Sequence, residues 1–281
     1  FLGDDLGALY SLCYMSPEIV QVLGTAFLVH PGFAITAAHI FPNHPYEPEP
    51  LQPEFTPNVL IGSLGDDIRM WKIETTWFVS HGDVVGLSIS PMFDLGKITE
   101  INLFSMSARR PENGELVTAY GLIPYFADGT PNSDLTFRYG EPIRVNGLAS
   151  TGPVCEFLMS RDRTFPMPSI RCWFKSPGAM SGAPVLDQTG RVIGIVSKSM
   201  LIEGEWETYV SLLWPFMVVD VAPSWPPSLA HPPAMFGNAV EENWRVCFEE
   251  DGTLHYRSGE HPGEIETFTE LRRMDKRNPR R

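Results

Sequence analysis

The stretch that most constrains this chain runs from Pro177 to Ser197. It reads Pro-Gly-Ala-Met-Ser-Gly-Ala-Pro, then Val-Leu-Asp-Gln-Thr-Gly-Arg-Val-Ile-Gly-Ile-Val-Ser. Small residues around Ser181 leave its hydroxyl accessible and let backbone N–H groups approach from the same side. Those are the two needs of an acyl-transfer nucleophile: a reachable Oγ, and donors aimed where a negative oxygen will form. The N–H groups of Ala179 and Ser181 are the candidate donors. Val185-Leu186 and the apolar run Val192–Val196 flank the turn Gln188-Thr-Gly190 and predict a tight β-hairpin. No helical pattern follows the serine, so this is not the strand–elbow–helix of the Gly-x-Ser-x-Gly hydrolases.

Two upstream stretches hold the partners such a serine requires. The β-rich run from Glu18 to Val29, the turn His30-Pro-Gly32 and Phe33–Thr36 predict a hairpin that leads straight into Ala37-Ala38-His39. Further on, Asp83 immediately precedes Val84-Val-Gly-Leu-Ser-Ile89. Asp66 and Asp67 sit in a turn, and Asp94 follows a proline-broken segment, which makes them weaker choices. His30, His44 and His81 lie in turn-like surroundings and are expected at the surface.

Thr36-Ala-Ala-His39 after a strand pair, Asp83 before an apolar strand, and Gly178-Ala-Met-Ser-Gly-Ala-Pro184 together resemble the trypsin-like (chymotrypsin-fold) serine peptidases over residues 16–222. The resemblance implies two packed antiparallel β-barrels and hydrolysis of protein or peptide substrates with no metal or organic cofactor. It implies His39 as general base, Asp83 as the group orienting it, Ser181 as nucleophile, and Ala179 with Ser181 as the oxyanion hole. The floor of that family's specificity pocket lies six positions before the serine, which is Lys175 here; an ammonium there favours an acidic substrate side chain. Ser197 is the second candidate substrate contact. Four positions depart from the pattern: Ala179 replaces glycine, Met180 replaces the aspartate that pairs with a cut N-terminus, Ile40 replaces cysteine and Gly86 replaces alanine. Activation by N-terminal clipping is therefore not expected. The competing reading is a catalytically silent or partner-activated binding module on the same fold, with an activating protein partner.

Short apolar or alternating runs separated by Gly, Pro, Asn and Asp turns predict an all-β chain. These include Asn58–Ser63, Ile68–Val79, Val117–Gly121, Phe137–Val145, Val154–Met159 and Ile170–Phe174, with Trp71 and Trp77 as packing residues. Six prolines between residues 42 and 57 predict a surface loop after His39. The expected organisation is an N-terminal segment 1–15, a peptidase domain 16–222, a Pro-rich linker 223–235 and a C-terminal extension 236–281. Within the extension, Trp244–Glu249 and Thr253–Arg257 are expected to pair as a hairpin. A net charge of −13 argues against general nucleic-acid binding, and the basic end 272–281 reads as a tail or linker. No apolar run has the length of a membrane span. Cys13, Cys155, Cys172 and Cys247 lack metal-ligand spacing, and so few cysteines suggest reduced thiols and a cytoplasmic enzyme. Cys155 and Cys172 lie in neighbouring segments that could pair.

Overall fold

The computed structural model describes residues 5–30, 32–42, 44, 55–64, 67–79, 82–92, 103–104, 106–107, 109–125, 135–138, 144–159, 168–225, 234–236, 252–258 and 265–271. The predicted strand runs pair antiparallel almost throughout. In the first half they are β1 (Leu9–Met15), β2 (Ile19–His30), β3 (Phe33–Ala37), β4 (Val59–Leu64), β5 (Asp67–Phe78) and β6 (Val84–Pro91). Their order is β1-β4-β5-β6-β3-β2, and β1 pairs back onto β2, which closes a six-stranded barrel. The second half supplies β7 (Met106–Ser107), β8 (Leu116–Tyr125), β9 (Thr136–Arg138), β10 (Arg144–Leu158), β11 (Ser169–Cys172), β12 (Pro184–Leu186), β13 (Val192–Ile202) and β14 (Glu205–Leu212). Here the order is β12-β8-β10-β11-β14-β13, closed by the pairing of β12 with β13. Closure removes the exposed edges that a sheet of this length would otherwise present. The fold is the all-β, two-barrel, chymotrypsin-like one of the trypsin-like serine proteases.

The three largest apolar clusters among the described residues hold the barrels. One fills the first barrel around Leu12, Leu28, Ala34, Leu60, Trp71 and Leu87. Another fills the second around Val117, Val154, Ile170, Met180, Val185 and Val210. The third joins them, with Phe27, Phe33, Ile35 and Val84 meeting Leu122, Leu186, Val192 and Ile195. Alternate residues of β3 enter two of these layers, so all five of its residues are buried. A strand covered on both faces reads as a continuous apolar run rather than an alternating one. Trp71 is fully buried and Trp77 stacks on Phe33 with ring centroids 5.5 Å apart, both as packing residues.

Several boundaries differ from the sequence reading. The segment 1–15, set apart there, supplies β1, whose pairing from Leu9↔Phe27 to Met15↔Val20 is what closes the first barrel. The run 137–145 is split, because β9 crosses to pair with β2 while β10 begins at Arg144. β10 then continues for 15 residues through Gly152-Pro153, where the two runs expected from sequence were separate. It does so because a Cβ at Gly152 would lie 2.0 Å from the Trp173 carbonyl oxygen; only glycine lets that backbone approach. His30 and His44 are buried at 2% and 6% exposure, contrary to their expected surface positions. His30 Nδ1 accepts the Gly32 N–H at 3.2 Å and so closes the β2–β3 turn. In the extension, β17 (Gly252–Ser258) pairs with β18 (Ile265–Leu271), and the expected partner 244–249 lies outside the described residues. Asp66, His81, Asp94, Cys247, residues 45–54 and the basic tail also lie outside them.

The Pro-rich stretch is anchored at both ends. Trp225 packs edge-on against Trp71 at 5.5 Å, and the Ser224 N–H donates to Ser88 Oγ at 3.0 Å. β15 (Asp220–Val221) pairs with β16 (Ala234–Met235), and the Phe236 N–H donates to the Val219 carbonyl at 2.7 Å. The fully buried Phe236 ring stacks on Phe33 at 5.4 Å and meets Phe216 edge-on at 5.0 Å. Truncating a fully buried phenylalanine costs about 3–5 kcal/mol. Phe236→Ala is therefore expected to lower the urea midpoint by a corresponding amount. An unchanged midpoint would mean that the return of the chain to the barrel is not part of the folded unit.

Candidate active site

His39 stands at the end of β3, in a short 3-10 turn over Ala38–Ile40, and Asp83 stands just before β6. β3 and β6 pair with Ala37 opposite Val84, so their ends bring the two residues together across one ladder step. The Asp83 carboxylate has no solvent exposure. A buried carboxylate needs donors, and it has them: the His39 backbone N–H at 2.7 Å on Oδ1, and His39 Nδ1 at 2.6 Å on Oδ2. Ser197 Oγ donates to Oδ2 at 2.5 Å, and the Asp83 N–H donates to Ser211 Oγ at 3.0 Å. These contacts hold the His39 ring, itself 8% exposed, with Nε2 turned to Ser181 Oγ at 3.2 Å. The result is an unbroken hydroxyl–imidazole–carboxylate chain, which can pass the serine proton to the imidazole as the oxygen attacks an electrophile.

Ser181 is positioned from both barrels. Its carbonyl oxygen accepts the Thr25 N–H from β2 at 2.8 Å, and the next N–H, of Gly182, donates to Val196 on β13 at 2.8 Å. This contact demands glycine twice. A Cβ at Gly24 would lie 2.6 Å from the Ser181 oxygen, and one at Gly182 would lie 2.1 Å from Thr36 Oγ1. Gly182 also has φ +82°, which other residues rarely adopt. Beneath the loop, buried Met180 fills the place over Gly121, where a Cβ would come within 2.6 Å of its Cγ. The β12–β13 hairpin turn behind the serine is held by Asp187, whose Oδ1 accepts the Thr189 and Arg191 N–H groups. Burial pushes that carboxyl up, but these bonds and the Arg109 guanidinium outweigh it and leave it below its ordinary value.

The expected donor pair at Ala179 and Ser181 is arranged differently. Gly178–Met180 form a 3-10 turn in which the Met180 N–H donates to the Pro177 oxygen at 2.9 Å. The Ser181 N–H donates to the Gly178 oxygen at 3.4 Å, so it is engaged inside the turn instead of facing open space. Ala179 does not adopt a positive φ, as its Cβ disfavours, and that keeps the turn helical. Thr25 Oγ1 fixes the turn from outside by donating to the Ala179 oxygen at 2.9 Å.

Ser197 and Lys175 both line a cavity of about 500 Å³ beside His39 and Ser181. The Ser197 hydroxyl donates to Asp83, so its part is to support the carboxylate, not to meet substrate through that group. Lys175 is exposed on the cavity wall instead of buried at a floor, with Nζ 4.9 Å over the Trp206 ring. An ammonium stays where water reaches unless a buried acid pairs with it. The nearby acid Glu207 bonds Arg171 at 3.0 Å and the Tyr209 hydroxyl at 3.0 Å. Thr25 and Ser211 were missed in the sequence; only the Gly24-Thr25 pair, next to a strand leading to His39, carried a local signal. Among the described residues, no group of three or more His, Cys, Asp or Glu side chains could hold a metal ion. Cys155 and Cys172 face neighbouring strands as free thiols, and Cys13 is free as well. Burial pushes the Cys13 and Cys172 thiols far up, which keeps them protonated and unreactive.

No protein-family model matches the sequence, and no curated protein matches it. Among solved structures, the chain is similar to the Rv3671c protease of M. tuberculosis in its active form. The identity is 15%, over 76% of this chain and 79% of that one, with a TM-score of 0.49. The inactive form of the same protease gives 17% identity, 76% and 87% coverage and 0.46. The MamO protease domain of Magnetospirillum magneticum, in its apo form, gives 14%, 75% and 94%, and 0.48. At such identities the likeness concerns the fold alone, which the strand order above defines by itself.

Gly182→Ala tests the docking of the serine loop. The added Cβ meets Thr36 and the Thr25 backbone at a strained φ, and effects of this kind cost about 1–3 kcal/mol or more. Reduced thermal stability with loss of any Ser181 reactivity is expected. A variant that melts like wild type would show that the loop does not need this contact.

Proposed function

We propose that the protein is a serine endopeptidase in which Ser181 attacks the scissile carbonyl of a protein or peptide substrate. One observation carries this reading: His39 bonds Ser181 Oγ through Nε2 and the buried Asp83 carboxylate through Nδ1. His39 takes the serine proton during attack and returns it to the leaving amine. Asp83 holds the tautomer with Nδ1 protonated and stabilises the imidazolium, and the resulting acyl-enzyme is hydrolysed by water activated in the same way. The tetrahedral oxygen is received by the N–H groups of Ala179 and Ser181 once the Gly178–Met180 turn opens, since the Ser181 N–H is otherwise held by Gly178.

That last requirement favours a second reading of the same site, in which a bound substrate or an activating protein partner supplies the opening. A catalytically silent binding module is the alternative from another class. Fluorophosphonate labelling separates them. Labelling lost in Ser181→Ala and in His39→Ala supports the peptidase, and no labelling of correctly folded protein under any condition supports the silent module. No helix among the described residues is long and apolar enough to cross a membrane. A cytoplasmic setting is our reading from the three free thiols.

Ser181→Ala and His39→Ala are each expected to lower kcat on the order of 10⁴-fold or more, and the double variant little further, because the pair acts as a unit. Full activity in Ser181→Ala would overturn the assignment. Ala179→Gly is expected to raise kcat, by up to about 10²-fold, since one oxyanion donor is worth that much or more. A clear loss of kcat in Ala179→Gly would mean that the turn already serves the reaction as it stands.

A further inference from the structure

The cavity beside Ser181 carries a chemistry of its own. Its wall holds two lysines, Lys175 and Lys198, both exposed, and no carboxylate is among its described lining residues. The chain as a whole has a net charge of −13, so a described wall that carries two lysines runs against its surroundings. Glu207, the acid nearest along β14, is taken up by Arg171 and Tyr209. Lys175 is braced, its Nζ 4.9 Å above the Trp206 ring, which limits how far the ammonium can swing away.

The hydroxyls of the cavity give a second, independent sign. Thr208 Oγ1 donates to the Phe174 oxygen at 2.7 Å, so its proton is committed. Ser199 Oγ, on the wall, accepts the Ser176 N–H at 3.2 Å and lies 3.0 Å from Thr208 Oγ1 and 3.3 Å from the Glu207 oxygen. It is fully occupied. Ser176 is not: it lines the same cavity at 6% exposure, and its buried Oγ has no hydrogen-bond partner. A buried hydroxyl left this way is destabilising unless a ligand acceptor completes it. Two ammoniums and an unanswered hydroxyl donor beside one serine nucleophile describe a receptor for a small anion on a flexible stem.

We infer that this cavity selects substrates with a carboxylate side chain, glutamate or aspartate, on the acyl side of the scissile bond. Lys175 and Lys198 supply the charge and Ser176 a hydrogen bond. A substrate arginine or lysine is rejected by the like charge on the cavity wall. The inference rests on the peptidase reading for its consequence, but it can be measured without turnover.

The test uses the full chain carrying Ser181→Ala and a set of otherwise identical peptides with glutamate, aspartate, glutamine, phosphoserine or lysine at that one position. Binding is followed by calorimetry at low and at 1 M salt. Glutamate or aspartate should bind at least about tenfold more tightly than glutamine, because charge-assisted bonds are roughly twice as strong as neutral ones. That advantage should shrink at 1 M salt, where the screening length falls to about 3 Å. Adding Lys175→Glu, at an exposed position and with folding checked by circular dichroism, should reverse the order of the glutamate and lysine peptides. Equal binding of glutamate and glutamine, no measurable binding by any peptide, or an order unmoved by Lys175→Glu would each overturn the inference. Tighter binding of phosphoserine than of either carboxylate would overturn it in favour of a phosphate receptor. Fluorophosphonate labelling of the wild type in parallel reports on the peptidase reading alone, so the failure of one is not mistaken for the failure of the other.

Discussion

The Asp83 carboxylate is the point on which the site depends. It has no exposure to water, and a charge in that position survives only if protein groups replace its hydration. Two of those groups come from His39, on the first barrel, and one from Ser197, on the second; Ser211, also on the second, receives the Asp83 N–H. The residue thus cannot be satisfied by either barrel alone. Docking the barrels is what completes its hydrogen bonds, and those bonds are what aim the imidazole. Packing and site formation are therefore one event: the apolar layer around Phe33, Ile35, Val192 and Ile195 brings up the serines as it closes.

The seam is made narrow enough by missing side chains. Gly24 and Gly182 let the serine loop touch β2 and β3 through backbone contacts, which a single Cβ at either place would block. Two departures from the peptidase pattern have the same kind of cause. A Cβ at Gly86 would lie 2.3 Å from Phe216 and 2.4 Å from Phe33, so the expected alanine has no room beside these aromatic rings. Met180, in place of an aspartate that would pair with a terminal ammonium, is instead a buried apolar peg whose space Gly121 provides. Dispersion contacts hold the loop there.

How much of this the sequence carried follows the range of the interactions. The hairpin of β12 and β13, the β2–β3 hairpin and the position of His39 at a strand end depend on neighbours a few residues apart, and those were legible. The place of β1 depends on pairing with both β2 and β4, the latter from Ser11↔Ile61 to Cys13↔Val59, and no local pattern announces that. Nor does one announce that His30 is buried at 2% exposure in the turn it helps to close. Ser197 lines the expected cavity, but sequence only places it at the end of an apolar strand, and the fold alone shows that its hydroxyl donates to Asp83 at 2.5 Å.

Ala179 ties the resting geometry to the proposed chemistry through two small terms that both oppose opening of the turn. The turn is held by a long bond, the Ser181 N–H to the Gly178 oxygen at 3.4 Å, and by Thr25 on the Ala179 oxygen. A hydrogen bond of ordinary geometry contributes about 0.5–1.5 kcal/mol net, and one this long less. Releasing the Ser181 N–H is therefore cheap. Where the opened loop places Ala179 at positive φ, the strain for a residue with a Cβ is about 1–3 kcal/mol. The sum is a free-energy gap of a few kcal/mol, and every 1.4 kcal/mol lowers the open fraction about tenfold. A substrate oxygen that accepts both N–H groups gains charge-assisted bonds only in the open form, and gains most as it becomes an oxyanion. On the peptidase reading proposed above, the gap is of a size that a well-fitting substrate can close. Glycine at this position would remove the strain and with it part of that gap.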